Sequence, residues 1–333
     1  MNNMRLPKLI VSEPATVQAL LEIKMRQREH CAILAGGTDV IPLLKRRNIS
    51  VGHLINVKRI PEFSHLEWDE ETGLRIGPAV TLRTLMDHPL VSGPYPLLAQ
   101  AARSVAFNQL RNMATLGGNI CLDNKCTYYN QSDFWWKSRP GCFKRGGDVC
   151  YVVKGAKGCF ALSAADTAGA LIALGAELTV RSAGQERRVP VEDFYTGDGR
   201  RPLRLQADEV LTDILIPPPL PGWRAGFLKK SPGGSGDFAI GTLSLCLKMN
   251  GAAAADARIA LNGVSTKPIR ARKTESWLAG KELTDQTIKE AVRLMLKEAA
   301  PLSLIGASAF VRRRLISVMF TDLIETLAPQ SPA

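Results

Sequence analysis

Little in this sequence belongs to hydrolytic or metal–water chemistry. It has only four histidines, His30, His53, His65 and His88, and they are scattered. None forms a His-x-x-x-His pair or stands beside a nucleophile, so no zinc–water site or catalytic triad is written here. No apolar run reaches the roughly 20 residues of a membrane-spanning helix. The opening Met1-Asn2-Asn3-Met4-Arg5-Leu6-Pro7 lacks the apolar core of a targeting peptide, and a cytoplasmic protein is expected. There is no internal repeat and no low-complexity tract. Aromatic residues are only 6% of the 333 residues, which makes any local density of them informative.

Acidic residues are also outnumbered, and the net charge is +12. Basic chains often meet nucleic acid or anionic membranes. Here the basic residues are spread, and only Lys45-Arg46-Arg47 and Arg312-Arg313-Arg314 are runs. The charge therefore reads as suited to anionic cofactors and an acidic protein partner, with no nucleic acid. A chain of this length makes two or three domains.

What the chain has in plenty is one dense group of cysteines. Five of its seven fall between Cys121 and Cys159, spaced Cys-x4-Cys-x15-Cys-x7-Cys-x8-Cys. Disulfides suit small secreted domains with thin cores, and this chain is long enough to bury a real one. Structural zinc usually shows paired Cys-x2-4-Cys knuckles, and none occurs. Four spread thiolates suit a [4Fe–4S] cubane, whose corners draw ligands from different directions. Lys125, Lys137, Arg139, Lys144, Arg145, Lys154 and Lys157 outnumber Asp123, Asp133 and Asp148 in the segment, as an anionic cluster would favour. Zinc and free thiols stay open on spacing alone. Tyr128, Tyr129, Phe134, Trp135 and Trp136 read as a low-dielectric jacket, as a small local core, or as both.

Residues 12–29 read as a helix capped by Ser12, with Pro14 in its first turn. A strand, Cys31 to Ala35, runs into Gly36-Gly37-Thr38-Asp39 and a helical stretch from Val40. Strand, glycine turn and helix start can cradle a phosphate. A second turn, Thr115-Leu116-Gly117-Gly118-Asn119, leads into the cysteines. Two such loops are what a pyrophosphate gripped from both sides needs. Thr81 caps a helix over Leu82–Met86, and Leu97 to Val105 forms another. Asp166 opens a small-residue helical run, as a cap or as an acceptor for ribose or ribityl hydroxyls. Glu177–Arg181 and Arg187–Val191 form a hairpin, and Val210–Ile216 is a strand. Pro217 to Gly222 reads as a domain boundary. The last third reads as a sheet backed by two helices, with no cluster of catalytic residue types.

The stretches Leu34-Ala35-Gly36-Gly37-Thr38-Asp39, Gln109-Leu110-Arg111-Asn112 and Thr115-Leu116-Gly117-Gly118-Asn119 resemble the two FAD-binding loops of a known family. It is that of the medium subunits of the xanthine oxidase and carbon monoxide dehydrogenase molybdenum enzymes. Pro268-Ile269-Arg270-Ala271-Arg272 and Phe310-Val311-Arg312-Arg313-Arg314-Leu315 resemble its C-terminal features. The cysteine segment departs from most members. With Cys126-Thr127-Tyr128-Tyr129-Asn130-Gln131-Ser132 and the Trp135-Trp136 pair, it is similar to the [4Fe–4S] insertion of the flavin subunit of 4-hydroxybenzoyl-CoA reductase.

The resemblance implies an α+β fold. Residues 1–216 form a PCMH-like FAD-binding domain, with subdomains at about 1–58 and 59–216 and an inserted loop at about 121–160. Residues 217–222 link it to a smaller α+β domain of antiparallel sheet and helices, 223–333. FAD is lined by Leu34, Ala35, Gly36, Gly37, Thr38, Asp39, Thr115, Gly117, Gly118 and Asn119. Asp166 reaches its hydroxyls, and Lys229 stands near the flavin ring. Cys126, Cys142, Cys150 and Cys159 hold the [4Fe–4S] cluster, leaving Cys121 as an extra thiol and Cys31 and Cys246 in the core. The chain carries no catalytic residue. It passes electrons from a donor such as ferredoxin through the cluster and FAD to a [2Fe–2S] small subunit and a molybdopterin large subunit, in a dimer of heterotrimers. The implied reaction turns 4-hydroxybenzoyl-CoA into benzoyl-CoA. A hydroxylase or aldehyde dehydrogenase with outward electron flow keeps the same architecture, and a zinc-stabilised scaffold is the reading from another class.

Overall fold

The computed structural model describes residues 5–234, 236–304 and 306–328, and only the backbone of Asp133. The expectation about a targeting segment therefore falls partly on Met1–Met4, outside the described residues. Three sheets carry the fold. The first is parallel, in the order Ile10–Ser12, His53–Asn56, Cys31–Leu34. Parallel neighbours need a crossover, and helix Val17–Gln27 supplies one, burying Val17, Leu20 and Leu21 against Ile55, Val57, Ile60 and Phe63. The helix does not begin at Ser12. Pairing with His53–Ile55 holds Ile10–Ser12 extended, and Ser12 Oγ meets His53 Nε2 at 2.8 Å. The cap is Thr16, whose Oγ1 accepts from the Ala19 amide at 3.2 Å.

The second sheet is antiparallel, in the order Leu66–Asp69, Gly73–Ile76, Val210–Ile216, Glu177–Arg181, Glu186–Pro190. The third is also antiparallel: Ile269–Arg270, Ala253–Asn262, Gly241–Asn250, Trp223–Lys230, with Lys281–Glu282 paired to the Ala253 end. Helices Asp285–Ala299 and Ala309–Leu327 cover one face of it with a core around Leu245, Ile259, Met295 and Phe320. The whole is α+β, as the resemblance implied, with one parallel and two antiparallel sheets among the described residues. Thr81 caps Leu82–Asp87 as expected, accepting from the Thr84 amide at 3.1 Å.

Helix Asp166–Leu174 covers the other face of the third sheet. Every residue from Asp166 to Ala173 is buried, because a helix apolar on all sides has no face to give to water. Gly169 allows the close approach: a Cβ there would stand 3.2 Å from Ser244 Oγ. Ala173, Phe227, Cys246 and Ala260 belong to one continuous core across the two sheets. Asp166 makes no capping bond. Its Oδ2 accepts from Lys229 Nζ at 2.6 Å, and the same nitrogen donates to Ser104 O at 3.0 Å. Burial raises the Asp166 pKa, against the opposing pull of Lys229.

The cysteine segment is a closed excursion. Lys125 N donates to Leu162 O at 2.8 Å and Leu162 N to Lys125 O at 2.9 Å, joining its two ends. Inside, Cys126, Tyr129, Trp136, Cys142, Ala161 and Leu162 pack with Leu304 of the C-terminal part. Trp135 and Trp136 meet edge-on at 4.8 Å, and the Arg139 guanidinium lies 4.4 Å over Trp135. Tyr129, Trp135 and Trp136 thus make the small core an excursion requires, whereas Phe134 is 86% exposed and stands outside it.

With side chains 6% and 8% exposed, Lys229 and Asp166 cannot lose one partner cheaply. Lys229→Met lowers the unfolding free energy by about 3–5 kcal/mol, the usual cost of stranding a buried charge. Asp166→Asn in the same chain recovers much of that loss. Urea unfolding of both singles and the double checks it, and simple additivity of the singles would refute the pairing.

Candidate cofactor cleft and cysteine cavity

A cleft of about 510 Å³ opens between the first two sheets and the start of the buried helix. Ala35, Gly36, Gly37, Thr38 and Asp39 form one wall, and Thr115, Gly117, Gly118 and Asn119 another. Asp166 and Lys229 also line it. Leu34 does not; it stays in its strand, its side chain packed beneath Gly37. The volume falls within the usual range for cofactor sites, about 300–1,000 Å³.

The two glycine loops do different work. In the first, the amides of Gly36, Gly37 and Thr38 have no acceptor among the described residues. Gly37 has φ +72°, which favours glycine. Consecutive free amides beside a left-handed turn form an anion nest. In the second, Gly117 N donates to Pro78 O at 3.0 Å, Gly118 N to Thr115 Oγ1 at 3.1 Å, and Asn119 N to Thr115 O at 2.9 Å. Those donors are spent, so the second loop offers shape. Gly36 and Gly117 are glycine because a Cβ would run into Met113 O and Pro78 respectively. At Gly118 a Cβ would meet only Thr115 Oγ1, at 3.0 Å. Helix Val40–Lys45 follows the first loop, whereas the second loop is itself the short helix Leu116–Ile120; each is one turn or so long, and the free amides matter more than a macrodipole. Asn119 is buried and faces the protein: its Oδ1 accepts from Thr167 N at 3.1 Å and Thr167 Oγ1 at 2.7 Å.

A second, smaller cavity is lined by Cys126, Cys142, Cys150 and Cys159, with Tyr129, Tyr151 and Phe143. Burial raises the Cys126 thiol, and pushes Cys159 up to about 11. The cavity measures about 20 Å³, room for one water, so a larger group seats there only if the thiols move apart. Among the described residues no three His, Cys, Asp or Glu side chains form a ligand set for a metal ion. The four cysteines share the lining of this cavity without converging into such a set. Cys121 lines the flavin-sized cleft instead, and burial pushes its thiol up to about 12.

Sequence reasoning missed the residues that hold the segment in place. Lys144 Nζ, in the excursion, donates to Asp123 Oδ1 at 2.6 Å and to Gly199 O at 2.7 Å. Gly199 N donates to Cys159 O at 3.1 Å, and a Cβ at 199 would press on Cys159 Sγ at 2.8 Å. Asn124 Nδ2 donates to Ala161 O at 2.9 Å and Thr266 O at 2.7 Å. No local pattern announces such partners, since each is far away in sequence.

Residues 5–219 match the family described as the FAD binding domain in molybdopterin dehydrogenase, and residues 226–327 the CO dehydrogenase flavoprotein C-terminal domain. The chain belongs to the FAD-binding medium subunits of the xanthine oxidase and carbon monoxide dehydrogenase family of molybdenum enzymes. It is 30% identical to a putative xanthine dehydrogenase FAD-binding subunit of Escherichia coli K12, over 88% of this chain and 87% of that one. It is 27% identical to the nicotine 6-hydroxylase medium subunit of Paenarthrobacter nicotinovorans, over 96% and 98%. It shares its fold, at a TM-score of 0.79 and 24% identity over 96% of each chain, with carbon monoxide dehydrogenase from Hydrogenophaga pseudoflava lacking the Mo-pyranopterin moiety of its cofactor. Among the described residues no helix is long and apolar enough to cross a membrane.

The contrast between the glycines is testable. Gly118→Val leaves the fold within about 1–2 kcal/mol of the unmutated protein, the scale of one tolerated backbone change, but loses flavin. Gly36→Val meets backbone and fails to fold stably. Flavin absorbance and thermal melting check both, and full flavin occupancy in folded Gly118→Val would place the cofactor elsewhere.

Proposed function

We propose that this chain is the flavin and iron–sulfur electron-transfer subunit of a 4-hydroxybenzoyl-CoA reductase. That enzyme removes the para hydroxyl reductively, using electrons from a donor such as reduced ferredoxin. The observation that carries the proposal is the sorting of the cysteines: Cys126, Cys142, Cys150 and Cys159 line one cavity, and Cys121 lines the cleft. The four would hold a [4Fe–4S] cluster. Gly36, Gly37 and Thr38 would receive the pyrophosphate of FAD on their amides, Thr115, Gly117 and Gly118 would wall it, and Asp166 and Lys229 would meet its polar edge as a pair. When bound, these groups would join one-electron carriers to two-electron chemistry. The protein's own part is placement, burial and charge. Its substrate site lies on another subunit.

The family membership supports a heterotrimer with a [2Fe–2S] small subunit and a molybdopterin large subunit, paired into a dimer of heterotrimers in the cytoplasm. We place the division of the chain at 217–222, between an FAD-binding unit over 1–216 and a C-terminal unit over 223–333. A second reading draws on the relatives, which include a xanthine dehydrogenase subunit and a nicotine hydroxylase subunit. In it the same architecture serves a hydroxylase, and electrons leave through the flavin. Substrate assays on the complex purified without oxygen separate the two.

Serine is a hard oxygen ligand and a poor substitute for thiolate. Cys142→Ser therefore loses the cluster or keeps a damaged form, while the chain still binds FAD, less tightly. Cys121→Ser keeps about four irons, the content of one cubane. Iron and sulfide analysis with low-temperature electron paramagnetic resonance decides. Cluster loss in Cys121→Ser, or bound zinc without sulfide in the unmutated protein, would overturn the assignment.

A further inference from the structure

Asp39 is an acid at the edge of an anion site. It follows Gly36, Gly37 and Thr38, whose amides are free, and it lines the same cleft. An unpaired carboxylate there would repel a pyrophosphate. Asp39 makes no capping bond to the helix it precedes. Its Oδ1 accepts instead from Lys125 Nζ at 2.5 Å, across 86 residues of sequence.

Lys125 immediately precedes Cys126 and sits at the neck of the cysteine segment. Its side chain is 7% exposed against 33% for Asp39. Its backbone is held on both sides by Leu162, and its ammonium lies 5.9 Å from the ring of Phe238, another cleft residue. Asn124 before it is tied to Ala161 and Thr266. The cation is therefore held between Asp39 and Phe238, which line the cleft, and Cys126, which lines the smaller cavity.

We propose that Lys125 is a positioning residue that neutralises Asp39 and ties the first glycine loop to the cysteine segment, so that disturbing the segment weakens FAD binding. The inference rests on the reading of the cleft as the FAD site. An uncharged residue at 125 leaves the fold's loops in place but returns a bare carboxylate to the cleft. Removing that carboxylate as well restores the charge balance, which a merely structural lysine would not allow.

The test is the dissociation constant of FAD for the full chain stripped of flavin, by fluorescence titration. Lys125→Met weakens binding about tenfold or more through charge repulsion, and Asp39→Asn in the same chain brings it back to within about threefold, since the two act as one unit. Cys142→Ser weakens FAD binding in the unmutated background and has no effect in the double variant. Lys125→Met that binds within about twofold of the unmutated chain, the margin of independent sites, overturns the proposal, as does a double variant no better than Lys125→Met. If Lys125→Met does not fold, Asp39→Asn alone decides: its FAD binding must ignore Cys142→Ser, and continued sensitivity overturns the link. Gly118→Val is measured alongside. Retained flavin in that variant would instead sink the FAD reading of the cleft.

Discussion

The structure depends on one buried charge pair at the start of one buried helix. Helix Asp166–Leu174 is enclosed on all sides, and its first residue is a carboxylate. A buried carboxylate needs a partner, and Lys229 provides it from a strand of the C-terminal sheet, at 2.6 Å. The same contact therefore fixes the helix on that sheet, closes the core across the two main units, and sets the polar end of the cleft. Asn119 adds a second tie, bonding the start of the helix to the second glycine loop.

The motif repeats around both cavities. Lys125 with Asp39, Lys144 with Asp123, and Lys229 with Asp166 are pairs at 2.5–2.6 Å in which the lysine side chain is at most 7% exposed. A basic protein with an anionic cofactor invites the idea that its lysines face the cofactor directly. Here three of them face aspartates first, and the pairs act as rivets between separate stretches of chain. Such rivets contribute less net stability than their Coulomb energy suggests, because both charges are desolvated. What they supply is registry: each pairs one specific acid with one specific base.

The cysteine segment is an excursion closed on itself. Its two ends meet at the Lys125–Leu162 bridge, its interior packs on its own aromatics, and it leans on Leu304. The surrounding domain sees a closed loop. The segment nevertheless is not independent, because Asp123, Asn124 and Lys125 reach three different parts of the chain in successive residues.

Much was legible in the sequence because it is local. Hydrophobic period and turn residues mark strand Val210–Ile216 to the residue, and the two helices that back the C-terminal sheet. The glycine pairs mark the cleft walls, and the cysteine spacing marks a segment set apart. Local signals failed where partners are distant. Ser12 looks like a helix cap until His53 pairs with it, and Asp166 looks like a cap until Lys229 is beside it. The glycines at 36 and 117 look like room for a ligand, and folding shows that they are room for Met113 and Pro78. Sequence by itself determined the elements, the family and the residue types available for chemistry. The tertiary structure alone decided which amides stay free, which acids are neutralised and which cysteine stands apart, because each of those depends on contacts between residues tens of positions away.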